Sequence, residues 1–121
     1  MAVILVVEDG VFIRELAESM IQDWGHQILS ACDASEALAH LRSPHHIDAL
    51  FTDVGLKAEK HGGYDVAREA ILLRPGLRIL YATAIRGTDK LHALFAAGTR
   101  FLPKPYTENQ LGLSIESLLA A

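Results

Sequence analysis

Short apolar runs alternate with amphipathic helical patterns along the chain of 121 residues. We interpret five of these runs as strands, and they are Val3–Val7, Gln27–Ala31 and residues 49–52, 78–82 and 100–102. Residues 3–7 and 79–82 are almost continuously apolar, as is typical of strands buried on both faces of a parallel sheet. A strict alternation of strands with helices predicts an α/β fold built on such a sheet.

Five helical patterns with recognisable ends follow the strands. Apolar positions from Ile13 to Trp24 recur at helical spacing and predict a helix with a one-sided apolar stripe, which Gly25 ends. Apolar positions also predict helices around residues 66–73 and 91–95. Two pairs with capping-box spacing begin the remaining helices, and they are Asp33 with Glu36 and Thr107 with Gln110.

Length and composition restrict the class of protein. At this length we expect residues 1–121 to form one domain. A formal net charge of −4 excludes a protein held to nucleic acid by charge alone. The single cysteine, Cys32, has no partner for an internal disulfide within the chain, which favours a reducing compartment. With no basic leader and no apolar run of the ~18 residues that a membrane span needs, we expect a cytoplasmic protein.

Residues whose side chains can bind ligands or take part in reactions follow the predicted strands. Ligands of open parallel sheets bind at the carboxyl ends of the strands. Two doubly wound orders fit the pattern, the dinucleotide-binding order and the flavodoxin-like order 2-1-3-4-5. In the flavodoxin-like order, strands one, three, four and five are neighbours, and their ends meet in one crevice. The residues at those ends are Glu8, Asp9, Asp53, Thr83 and Lys104.

Three carboxylates in one crevice cannot all stay ionised without a counter-charge. Mg²⁺ suits Glu8, Asp9 and Asp53 because it prefers oxygen ligands, whereas the chain has no Cys/His spacing for zinc. A cation beside the Lys104 ammonium and the Thr83 hydroxyl could handle a phosphoryl group, whose charge is spread over several oxygens. A carboxylate can itself be the nucleophile and form an acyl phosphate.

Four motifs together resemble the receiver domain of two-component response regulators. They are Val6-Val7-Glu8-Asp9, Leu50-Phe51-Thr52-Asp53, Tyr81-Ala82-Thr83-Ala84 and Pro103-Lys104-Pro105-Tyr106. The resemblance covers essentially the whole chain, residues 1–121. Within the family, the chain is similar to stand-alone receivers. It implies a flavodoxin-like, doubly wound sheet of five parallel strands in the order 2-1-3-4-5, with five helices.

The resemblance assigns roles at the acidic end of the sheet. It implies that Asp53 is the phosphoacceptor, modified by a histidine kinase or a histidine phosphotransfer protein. Mg²⁺ or Mn²⁺ would be held by Asp53, by Asp9 directly, by Glu8 through a water molecule and by the backbone carbonyl of Gly55. The chain would then be no enzyme beyond catalysing its own phosphorylation and dephosphorylation.

The resemblance also implies how phosphorylation changes the domain. Lys104 would pair with the phosphoryl oxygen or the Asp53 carboxylate, and Thr83 would hydrogen-bond the new phosphoryl group. Phe101 matches an aromatic switch position, although an aromatic residue in a short strand is as often an ordinary core residue. The face from the fourth to the fifth predicted helix would bind an unknown downstream protein or form a weak dimer. The family's cis peptide bond corresponds to Lys104-Pro105.

The sequence departs from the receiver pattern in the loops. Lys57 replaces a usual proline, the loop 55–63 is about one residue longer, and Gly10 replaces a frequent third acidic residue. Ile85 stands where similar stand-alone receivers have tyrosine. These departures affect loop geometry and the lifetime of the phosphoryl group.

Three other functions are alternatives to the switchable receiver. A degenerate receiver that binds partners without phosphorylation is the main alternative. An aspartyl-phosphate phosphohydrolase would need a second carboxylate where this chain has Gly55. A flavin carrier would need a phosphate-binding loop after the first strand, where Glu8 and Asp9 would instead repel phosphate.

Overall fold

The computed structural model describes residues 2–53, 62–83 and 99–120, with the backbone alone for residues 62–65, 83 and 99. The predicted helix around residues 91–95 lies outside this part of the chain, so the last described helix is labelled α4. In chain order the elements are β1 (Val3–Val7), α1 (Val11–Asp23), β2 (Gln27–Ala31), α2 (Ala34–Arg42), β3 (Ala49–Asp53), α3 (Gly62–Leu73), β4 (Arg78–Thr83), β5 (Thr99–Pro103) and α4 (Glu108–Ala120).

The five strands form one parallel sheet in the order β2-β1-β3-β4-β5, which confirms the flavodoxin-like prediction. Val7 lies opposite Ala31 on one side and Thr52 on the other. Asp53 lies opposite Ala82. The carboxyl ends of the central strands are therefore level with one another, and residues that end or follow these strands come together at one edge.

Both faces of the sheet are buried, which explains the continuous apolar character of β1. Leu5 and Val7 pack into a core with α2 and α3, whereas Ile4 and Val6 pack into a second core with α1 and α4. Successive residues of a strand point to opposite faces, so an uninterrupted apolar run is required when both faces are covered.

The helix ends follow the predicted capping chemistry. Asp33 Oδ1 accepts a hydrogen bond of 2.8 Å from the Glu36 backbone N–H, and Glu36 Oε1 accepts one of 2.7 Å from the Cys32 N–H. At the start of α4 the pair is reciprocal, because the Gln110 N–H donates to Thr107 Oγ1 and the Thr107 N–H donates to Gln110 Oε1. Gly25 follows α1 with a φ of +90°, a left-handed conformation that favours glycine.

The apolar stripe of α1 is buried only in its second half. Ala17 and Ile21 are buried, but Ile13 and Leu16 are 51% and 59% exposed. The start of α1 stands at the carboxyl edge of the sheet, where these two side chains line an open groove with Pro105 instead of entering the core. Of the helices that the structure describes, none has both the length and the apolar character needed to cross a bilayer.

Candidate functional site

An ion pair joins the ends of β3 and β5. Asp53 is the last residue of β3, and Lys104 follows β5 directly. The Lys104 Nζ atom lies 2.7 Å from Asp53 Oδ2, with the two side chains 27% and 14% exposed. The Lys104–Pro105 peptide bond is cis. The sequence prediction that these two residues meet at one edge of the sheet agrees with this geometry.

Glu8 is the most buried charged residue of the site, with 7% of its surface exposed. Its backbone N–H continues the β1–β2 ladder by donating to the Ala31 carbonyl at 3.0 Å. Its side chain accepts a hydrogen bond of 3.1 Å from the Gly10 N–H and also hydrogen-bonds the carboxyl groups of Asp53 and Asp9. Glu8 therefore links Asp9 and Asp53, the two aspartates predicted to share its crevice.

The pKa of Glu8 is raised from 4.5 to about 7, mainly by burial and also by the charge of Asp53 and by hydrogen bonds to Asp53 and Asp9. The Gly10 N–H lowers this pKa and offsets part of the increase. A protonated Glu8 donates a hydrogen bond to a neighbouring carboxylate, which relieves the repulsion between them. The expectation that the three carboxylates cannot all ionise without a counter-charge agrees with this result.

The raised pKa predicts that the cation-free protein loses stability as pH rises from 4.5 to about 7. The folded state binds more protons than the unfolded state in this window, so the free energy of unfolding falls as pH increases. Replacement Glu8→Gln removes the ionisation and should raise the free energy of unfolding by about 2 kcal/mol at about pH 8, with no gain at about pH 4.5. Urea unfolding in the presence of EDTA measures both values.

The matched control is Glu15→Gln, which removes an exposed carboxylate from the same segment of chain. This variant should keep the pH dependence of the wild type. If Glu8→Gln and the wild type show the same pH dependence, then Glu8 does not carry the extra proton.

Tyr106 borders the acidic residues, a role that was not predicted for it from the sequence. Burial, together with the negative charges of Glu8 and Asp53, raises the pKa of its hydroxyl to about 12. Its ring packs edge-on against Phe51, with the ring centres 6.0 Å apart and the planes at 77°. The signal for this position was an aromatic residue directly after the Lys104-Pro105 pair, which places the ring beside Asp53.

The other predicted site residues are described only in part. Phe101 is half-buried and stacks on Tyr81, with ring centres 5.6 Å apart, so its switch role stays a prediction. Thr83 ends β4 opposite Pro103, which is the predicted place, but its side chain is not described. Gly55, predicted to offer a carbonyl to the cation, lies outside the described residues.

The donor set suits a hard divalent cation, because Glu8, Asp9 and Asp53 offer carboxylate oxygens alone. A second group of possible ligands is formed by Cys32, Asp33 and Glu36. Among the described residues, the ligand atoms of this group lie within 4.8 Å of one another. That second group already serves the start of α2 through its capping hydrogen bonds. The raised pKa of Glu8 favours its protonated form when no cation neutralises the neighbouring carboxylates.

An open groove of about 430 Å³ adjoins the ion pair, and its lining is mostly apolar. It runs from Lys104 to the exposed start of α1, where Phe12 is 87% exposed. The residues that line it are Ile13, Leu16, Lys104, Pro105 and Tyr106. The acidic end of the sheet is thus bordered by a surface with apolar side chains open to solvent.

Comparisons with known proteins agree with this geometry. The family model for the response regulator receiver domain matches residues 4–116. The transcriptional regulatory protein PhoP of Escherichia coli K12 is 32% identical over 117 residues, which are 96% of this chain and 51% of PhoP. The chain therefore spans about half the length of the curated relatives it matches.

Two solved structures share the fold over nearly their whole length. A response regulator receiver protein from Sinorhizobium medicae has a TM-score of 0.88 and 26% identity, with 99% of this chain and 95% of that one covered. The chemotaxis response regulator CheY4 of Vibrio cholerae has a TM-score of 0.86 and 25% identity, with coverage of 98% and 99%.

Proposed function

This chain belongs to the response regulator receiver family of two-component systems, and on that premise we propose that it is a signalling switch phosphorylated on Asp53. The observation that carries the proposal is the 2.7 Å contact between Lys104 Nζ and Asp53 Oδ2. It lies at the carboxyl edge of the sheet, where Glu8 supplies a further carboxyl group. A nucleophile, a fixed cation and ligands for a second cation are the components that phosphoryl transfer needs.

The proposed reaction transfers a phosphoryl group from a phosphohistidine of a histidine kinase or phosphotransfer protein. A carboxylate oxygen of Asp53 attacks the phosphorus, so a new P–O bond forms while the P–N bond breaks. The imidazole nitrogen of the donor leaves with the electron pair. Lys104 is held on Asp53 Oδ2 and can stabilise the negative charge on the phosphoryl oxygens at that end of the group.

We propose Mg²⁺ or Mn²⁺ as the cofactor, held by Asp9, Asp53, the Gly55 carbonyl and, through water, Glu8. When bound, the divalent cation would neutralise charge on the transferred phosphoryl oxygens. Metal ligands must be deprotonated, so Glu8 has to release its proton for the site to accept the cation at full negative charge. The Gly10 N–H would continue to orient the ionised Glu8 carboxylate, since it already donates to Oε1.

The exposed apolar start of α1 is the surface that we assign to the phosphodonor protein. A donor histidine must reach Asp53, and the groove between Lys104 and α1 is continuous with that position. Phe12 is 87% exposed and Leu16 is 59% exposed. Exposed apolar patches beside a reactive group mark sites of protein contact.

Replacement Phe12→Ser should raise the KM for the cognate phosphorylated histidine kinase about tenfold and so slow phosphoryl transfer from it. The reason is that aromatic anchors carry much of an interface's binding energy. The rate with acetyl phosphate should be unchanged, because a small donor needs no docking surface. Profiling of the host's histidine kinases identifies the cognate donor, and radiolabel transfer measures both rates.

Leu72→Ser is the matched control, because Leu72 is 76% exposed but lies on α3. It should leave both rates unchanged. Equal kinase-dependent rates for Phe12→Ser and the wild type would contradict docking on α1.

The proposal also includes an output surface and a cellular location. We place the output surface on the face from the predicted helix around residues 91–95 to α4, with Thr83 and Phe101 linking the phosphoryl group to it. The downstream partner is a protein, and the chain acts as a switch without turnover of an external substrate. The stand-alone arrangement expected from the sequence stays a prediction, and the single cysteine supports a cytoplasmic location.

The proposal is tested by incubating the purified protein with acetyl phosphate and Mg²⁺ and measuring its intact mass. One phosphoryl group per chain is expected, and EDTA should prevent its addition. A protein that takes up no phosphoryl group from any donor, yet binds a partner, would instead be a phosphorylation-independent receiver.

A further inference from the structure

We propose that Arg14 is a positioning residue that holds the acidic corner, residues Glu8–Gly10, in the conformation that receives the divalent cation. Arg14 lies in the first turns of α1, where its backbone N–H donates to the Gly10 carbonyl at 2.8 Å. Its guanidinium Nη1 reaches back over the corner and donates to the Glu8 carbonyl at 3.0 Å. One residue therefore contacts both ends of the corner.

The bonded carbonyl belongs to the peptide unit that joins Glu8 to Asp9. The Glu8 N–H and side chain are fixed by the Ala31 carbonyl and the Gly10 N–H. Those two partners are backbone groups, whereas the partner of the Glu8 carbonyl is a side chain. Without it, a partly buried carbonyl would lose its donor, and the peptide unit could rotate to find another. Such a rotation would redirect Asp9, because the same unit sets the direction in which the chain enters that residue.

The positive charge of Arg14 also influences the start of α2. Hydrogen bonds from Cys32 lower the pKa of Glu36, and the positive charge of Arg14 lowers it further. The charge of Arg14 is therefore close enough to the Glu36 carboxylate to affect its ionisation, while Nη1 is bonded to Glu8. A planar guanidinium has several donors at fixed angles and can serve two neighbours at once, which an ammonium on a shorter stem does less well.

This inference rests on the proposed function because it takes a divalent cation as the ligand of the corner. The experiment is a titration of the full chain with Mn²⁺, followed by electron paramagnetic resonance of the free ion. Replacement Arg14→Met should weaken Mn²⁺ binding about tenfold, the lower end of the effect of removing a group that orients metal ligands. Arg14→Lys keeps one charged donor and should recover part of the affinity.

The matched control is Arg42→Met, which removes an exposed arginine from the last turn of α2, at the opposite edge of the sheet. Its Mn²⁺ affinity should equal that of the wild type. Thermal unfolding of each variant shows that it is folded, and if Arg14→Met fails to fold, weaker Mn²⁺ binding by folded Arg14→Lys supports the positioning role.

Two results would overturn the inference. Unchanged Mn²⁺ affinity in Arg14→Met, or in Arg14→Lys if that is the folded variant, would show that Arg14 does not position the corner, and the proposed function would stand. An equal loss in Arg42→Met would mean that the loss is not specific to the corner, since Arg42 does not contact it. A wild-type chain that binds no Mn²⁺ would contradict the proposed cofactor itself.

Discussion

Replacement Asp53→Asn is expected to abolish phosphoryl incorporation from acetyl phosphate in the presence of Mg²⁺. An amide lacks the anionic oxygen that attacks phosphorus, and it cannot form a stable acyl phosphate. The variant should stay folded, because asparagine has the shape of aspartate and its oxygen can accept the hydrogen bond that Lys104 donates to Asp53 Oδ2. Intact mass after incubation measures the outcome.

The control for Asp53→Asn is Asp23→Asn, which removes the same charge from the last residue of α1. This variant should be phosphorylated at the wild-type rate. Stoichiometric labelling that persists in Asp53→Asn would show that another residue is the acceptor.

Replacement Lys104→Met should slow phosphorylation by acetyl phosphate by about 10²-fold under saturating Mg²⁺, the effect typical of removing one fixed group that stabilises developing charge. The ammonium lies 2.7 Å from Asp53 Oδ2, so it is in place before the phosphoryl group arrives. Methionine keeps most of the length and apolar stem of lysine but supplies no charge and no donor. Single-turnover labelling over time measures the rate.

Metal binding separates this role of Lys104 from general damage to the site. Loss of a positive charge beside Asp53 should leave Mn²⁺ affinity equal or higher, because the cation would then face less repulsion. Arg100→Met removes an exposed positive charge from β5 and should change neither measurement. A Lys104→Met protein phosphorylated at the wild-type rate would contradict a role for the lysine in transfer.

The fold could be predicted from sequence because its main signals are local. Continuous apolar runs mark buried strands, and capping pairs such as Asp33 with Glu36 mark helix starts. Strand ends were less certain, and β3 extends to Asp53, one residue beyond the predicted run. The exposure of Ile13 and Leu16 could not be foreseen, because helical spacing identifies an apolar stripe but not what covers it.

The site also has features that could be predicted from sequence and features that could not. The meeting of Asp53 with Lys104 and the conflict among the carboxylates followed from strand order, since parallel strands bring their carboxyl ends to one edge. The places of Tyr106 and Arg14 depend on how a loop and a helix turn fold back over that edge. The side chain of His26 is only 7% exposed, and its two ring nitrogens contact the Ala2 N–H and the Glu116 carboxylate. Such tertiary contacts leave no periodic signal in the sequence.

The central claim is that Asp53 carries the phosphoryl group, and locating that group tests it most directly. The protein is phosphorylated with acetyl phosphate and Mg²⁺, reduced with borohydride and digested, and its peptides are sequenced by mass spectrometry. Because borohydride converts an aspartyl phosphate to homoserine, the account predicts homoserine at position 53 and unmodified aspartate at the other positions. Homoserine at another position, or an unreduced phosphoester on a hydroxyl residue, would contradict it.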